Sequence, residues 1–66
     1  MDVVVQENIT TNLDLIIKKT NEGFRVISLF INGPHKGKEY GSLKVYKSLG
    51  IAKREFTKSL KYYREF

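Results

Sequence analysis

Phe24-Arg25-Val26-Ile27-Ser28-Leu29-Phe30-Ile31 decides the fold of this 66-residue chain. Alternate residues of a β-strand share a face. Phe24, Val26 and Phe30 fall on one face, and Ile27, Leu29 and Ile31 fall on the other. A strand buried on one side alternates apolar with polar residues. Here both sides ask for cover, and the chain has room for only one long helix. The expectation is that the helix covers one face and that a partner, a ligand or a second copy of the protein covers the other.

Working outward, Leu13-Asp14-Leu15-Ile16-Ile17-Lys18-Lys19 reads as the preceding strand. Leu13, Leu15 and Ile17 share a face, with Asp14 and Lys18 opposite. Thr20-Asn21-Glu22-Gly23 between the two strands is a hairpin signal, a short polar loop closed by the residue that tolerates left-handed backbone. Val3-Val4-Val5 is a β-branched run and a candidate edge strand over 2–6. The polar Asn8 to Asn12 reads as a connection. Asn32-Gly33-Pro34-His35-Lys36-Gly37-Lys38 is a loop.

Tyr40 to Lys47 supports two readings. Leu43 and Val45 alternate with Lys44 and Tyr46 as in a further strand, whereas Leu43, Tyr46 and Leu49 also recur at helical spacing. Val, Tyr and the flanking glycines favour the strand. The chain ends in its clearest helix, over 51–65, with Ala52, Phe56, Leu60 and Tyr63 in one stripe and Ile51 and Ser59 beside it. Ser48 or Gly50 marks its start. The predicted fold is α+β: one domain over 1–66, a small antiparallel β-meander of three to four strands followed by one C-terminal α-helix.

Composition narrows the class. A domain this small buries only about 60% of its unfolded surface and usually needs a staple. There is no cysteine and a single histidine, His35, so disulfides and a Cys/His zinc site are excluded and oligomerisation remains. A homodimer is expected, with Tyr62, Tyr63 and Phe66 as contact candidates. No apolar run reaches membrane-span length, and Met1 to Val5 lacks the basic start of a signal peptide. An intracellular protein, cytoplasmic or nucleoid-associated, is the expectation.

The 12 Lys and Arg outnumber the 7 Asp and Glu, for a net charge of +5. Every basic residue lies from Lys18 onward, while residues 1–17 carry Asp2, Glu7 and Asp14. Such a balance favours polyanionic partners. Enzyme signatures are absent: no HExxH, no Walker A pattern and no nucleophile elbow. His35 and Ser42 have no supporting spacing. Gly33, Gly37 and Gly41 recur every four residues without the Gly-Lys-Ser/Thr that cradles phosphate. The carboxylates are scattered. No catalytic residue, metal ligand or cofactor is assigned.

The remaining chemical signal is basic and aromatic. Lys36 and Lys38 lie in the loop, with Tyr40, Lys44, Tyr46 and Lys47 beyond it. Arg25 joins them from the middle strand. If 40–47 is a strand, Lys44 and Tyr46 share a face, where a cation meets phosphate and a ring stacks on a base. Lys53 and Arg54, with Lys58, Lys61 and Arg64, make the helix a second basic surface. Nucleic-acid binding, more single-stranded than duplex, is the leading expectation. The alternative is a small interaction module that binds a protein partner through an exposed apolar sheet face.

Strands at 2–6, 13–19, 24–31 and 39–46 ahead of a helix at 51–65, with Lys36-Gly37-Lys38 before the last strand, resemble the positive cofactor 4 family of single-stranded DNA-binding proteins. The resemblance covers Phe24 to Tyr63. It implies a dimer that binds single strands on curved sheets. A second resemblance covers only 42–62, where Leu49-Gly50-Ile51-Ala52-Lys53-Arg54-Glu55-Phe56 and the following Thr57-Lys58-Ser59-Leu60-Lys61 look like a Fis-type helix-turn-helix. It implies that Lys53, Arg54, Thr57 and Lys58 face a duplex major groove.

Overall fold

The hairpin around Thr20–Gly23 organises the sheet. In the computed structural model, which describes residues 2–64, β2 (Leu13–Thr20) and β3 (Gly23–Phe30) pair antiparallel without a break, from Leu13 opposite Phe30 to Thr20 opposite Gly23. The Thr20 hydroxyl accepts from the backbone N–H of both Glu22 and Gly23, at 3.2 Å each, and so closes the turn. Gly23 has φ +149°, and a β-carbon there would collide with the Tyr46 carbonyl oxygen. Only glycine meets both conditions.

β1 (Asp2–Thr10) pairs with β2 on the side away from β3, and β4 (Glu39–Tyr40) pairs with β3. One helix, α1 (Leu49–Arg64), follows. The four-stranded antiparallel sheet in the order β1-β2-β3-β4 with a C-terminal helix is the expected α+β fold.

Three boundaries differ from the sequence reading. β1 runs through Asn8 to Thr10, where a connection was expected, so only Thr11-Asn12 turn. Its polar residues hold the strand by side-chain bonds. Asn8 Nδ2 donates to Asp14 Oδ1 and to the Thr10 carbonyl, both at 2.8 Å, across the irregularity between Asn8 and Thr10. The helix begins at Leu49 rather than at 51, because Ser48 caps it: its hydroxyl accepts from the Ile51 N–H at 3.2 Å. Glu65 and Phe66 lie outside the described residues.

The third difference is the expected strand at 39–46. It is broken after Tyr40 and resumes backbone pairing with β3 where Phe24 and Tyr46 exchange both bonds, at 2.8 and 2.7 Å. Four steps along β3, from Ser28 to Phe24, face six steps along the outer chain, from Tyr40 to Tyr46. The two surplus residues leave the plane of the sheet. Nothing in 42–48 is helical, so the first helix needed by the Fis-type reading is absent and α1 stands alone.

The helix covers one face. Leu15 and Ile17 pack with Ala52 and Phe56, and Val5, Ile9, Phe24, Val26, Leu49, Leu60 and Tyr63 surround them. This follows the alternation of β2 and the apolar stripe of α1.

The other face corrects the reading that it needs an external cover. Ile16 and Ile27, opposite each other in the ladder, are each only 1% exposed within the single chain. Their cover is polar and internal. Lys18 lies across from Arg25, and Glu39 across from Leu29, so the Lys18–Glu39 ion pair crosses β3 above Ile27. Beside Ile16, buried Asp14 accepts from Gln6 at 2.6 Å and from Asn8 at 2.8 Å. Long side chains bury apolar surface under their stems while their heads stay paired. The apolar sheet face expected to meet a protein partner is therefore closed at its centre, over Ile16 and Ile27. Ile27 is buried, and Leu29 beside it is half-buried.

Candidate nucleic-acid interface

Seven of the nine expected site residues follow the β3 edge. The loop carrying Lys36 and Lys38 docks at one end: Gly37 N–H donates to the Phe30 carbonyl at 2.7 Å, and Phe30 N–H to the Lys38 carbonyl at 3.0 Å. Gly37 (φ +89°) makes the turn that returns the chain to the edge. His35 lies against Phe30, ring centroids 5.7 Å apart, which gives the lone histidine a packing role. Both lysines are exposed.

Tyr40 comes next, opposite Ser28, with 70% of its surface exposed. At the far end Tyr46 is fixed against Phe24, and Lys44 Nζ stands 5.2 Å from the Tyr46 ring centroid. The expected strand does not bring Lys44 and Tyr46 together. The irregular 41–45 segment does, helped by Lys44 N–H donating to the Ser42 hydroxyl at 3.0 Å. Lys47, exposed, stands just before the helix cap. From Phe30 to Phe24 the edge runs roughly 20 Å, at about 3.3 Å per residue.

Arg25 has a different place from the one expected. Half-buried, it donates from Nη2 to the Ser42 carbonyl at 3.1 Å, and its Nε is buried without a partner. It braces the segment after Tyr40 against β3. Lys53 and Arg54 are exposed on the first turns of α1, apart from the β3 edge itself. Further along the helix, Lys58 pairs with Glu55 at 3.5 Å, and Arg64 with Glu7 at 3.8 Å. Lys36, Lys38, Lys44 and Lys47 have no carboxylate partner among the described residues, so their charge is available to an anion.

The break in β4 also opens a groove of about 200 Å³ that the sequence reading missed. Val26 and Ser28 form its floor, Tyr40 and Tyr46 one wall, Ser59 and Tyr63 the helix wall. The only sequence signal for it was the pair of glycines and the serine around Tyr40. A larger depression of about 590 Å³ lies at the β2–β3 turn, where Asp2 and Glu22 sit with Lys19 and Arg25. Its opposed charges favour no single kind of ligand. Among the described residues no three His, Cys, Asp or Glu side chains gather as a metal site would need, and no helix is long and apolar enough to cross a membrane.

No protein-family model, curated protein or solved structure matches this chain.

Proposed function

We propose that the protein binds single-stranded nucleic acid along the β3 edge, without catalysis. The observation that carries this reading is the Lys44–Tyr46 pair on an edge that also carries the exposed Tyr40 ring and has unpaired lysines at both ends. Phosphates need cations at intervals, and unstacked bases need flat rings. Lys36 and Lys38 supply charge at one end, Lys44 and Lys47 at the other. Tyr40 supplies the accessible ring. Duplex DNA suits this edge less well, because its bases are already stacked and no helix or ribbon is free to enter a groove from here.

The test is fluorescence anisotropy with labelled single-stranded and duplex oligonucleotides at several salt concentrations. Single strands bind more tightly, and affinity falls with salt. Lys36→Ala with Lys44→Ala reduces the salt slope by about 0.7 for each phosphate no longer neutralised. Tyr40→Ala costs about 1–3 kcal/mol of binding if a base stacks there. Identical affinity of the double-lysine variant and the parent protein at every salt concentration would refute the reading.

A further inference from the structure

The break in β4 leaves one residue of β3 facing the groove without a strand partner. Phe24 spends its N–H and C=O on Tyr46, and Phe30 spends its own on Lys38 and Gly37. Alternation along an antiparallel edge aims the N–H and C=O of Val26 the same way. Had the ladder continued from Ser28 opposite Tyr40, Ser42 would stand opposite Val26. The Ser42 carbonyl is instead taken by the Arg25 guanidinium. Val26 therefore offers a donor and an acceptor side by side at the floor of the groove.

We infer that this notch reads the edge of one nucleobase in the strand bound along β3; the inference rests on the function proposed above. A base edge carries an acceptor beside a donor, as N1 and the N6 amine of adenine or N3 and the N4 amine of cytosine do. The Val26 N–H donates to the ring nitrogen, and the Val26 carbonyl accepts from the amine. The tyrosines of the walls give the base a face to lie on, and Lys44 over Tyr46 keeps a cation at the rim for the adjoining phosphate. Glu55 also lines the groove and accepts hydrogen bonds only, so it favours bases that carry an exocyclic amine. Thymine also offers an acceptor beside a donor, O4 beside N3–H, but it has no amine for Glu55, so the preference for adenine or cytosine over thymine comes from Glu55.

The experiment compares short homopolymers of deoxyadenosine, deoxycytidine and thymidine with an abasic strand of equal length, all at low salt. The adenine or cytosine strand binds about tenfold more tightly than the abasic one, in the range of one well-held base, and more tightly than the thymidine strand. Ser59→Leu fills the groove and removes that advantage. Glu55→Leu, on the half-buried rim, gives a second reading if the first variant folds poorly: it abolishes the preference over thymidine. Equal binding of the three base-bearing strands, or a preference for thymidine, overturns the notch and leaves the β3-edge function standing. Absence of binding to every strand at low salt overturns both.

Discussion

At the residue scale, three glycines show what a missing side chain is worth in three settings. At Gly23 a side chain would run into the Tyr46 carbonyl, in a backbone region closed to other residues. Gly23→Ala is expected to cost about 1–3 kcal/mol through strain and loss of the Phe24–Tyr46 bridge. Gly33→Ala (φ +83°, open space around it) is expected to cost only the left-handed penalty of about 1 kcal/mol. Gly50 is the opposite case: it lies in the first turn of α1 with nothing near its missing β-carbon and no positive φ. Gly50→Ala is expected to raise stability by about 0.4–1 kcal/mol. Urea unfolding of the three variants checks the order.

Lys18 acts through its stem as much as its charge. Its side chain is 12% exposed, and its ammonium reaches Glu39 over the buried Ile27. Lys18→Ala uncovers Ile27 and is expected to cost about 1–2 kcal/mol. Lys18→Met keeps the stem and is expected to lose less than half as much, since a partly exposed ion pair contributes little by itself. A larger loss in the methionine variant, read from the same unfolding curves, would show that the charge and not the cover is what matters.

At the element scale, what could be read depended on whether an element's cause was local. The β2–β3 hairpin was legible because Thr20 to Gly23 closes the turn with its own atoms. The stripe of Ala52, Phe56 and Leu60 was legible because helical period is a sequence property. β1 was misjudged beyond Gln6. Asn8, Ile9 and Thr10 together signal no strand, and pairing with Leu13 and Asp14 decides them. The last strand was misjudged because its interruption depends on where Tyr46 is caught by Phe24, a contact 22 positions away in the chain. The lysines and tyrosines of the candidate site were legible by type, while the groove was not, since it exists only because of that interruption. α1 itself depends on its cap. Ser48→Ala is expected to cost about 1 kcal/mol and Ser48→Asp to restore it, as thermal unfolding followed by circular dichroism will show.

At the scale of the whole molecule, the margin is small. A domain of this length has roughly 3–10 kcal/mol of stability in total. Phe56, 6% exposed, is the largest buried side chain of α1. Phe56→Ala is expected to cost about 3–5 kcal/mol and so to leave much of the chain unfolded at room temperature, visible as loss of helical circular dichroism. The sheet covers the centre of its two faces by unlike means, a helix on one and paired polar chains on the other. The charge is divided as well, with acids on β1 and unpaired lysines along the opposite edge.

The surplus of two residues between Tyr40 and Tyr46 has a meaning for descent. A strand that is already interrupted can lengthen or shorten without moving its neighbours, because the anchors at Tyr40 and Tyr46 are set by β3 and not by what lies between them. Insertions and deletions between Ser42 and Val45 will therefore be borne where the same changes in β2 would not. This segment is where a new specificity can be tried while the rest of the domain is kept.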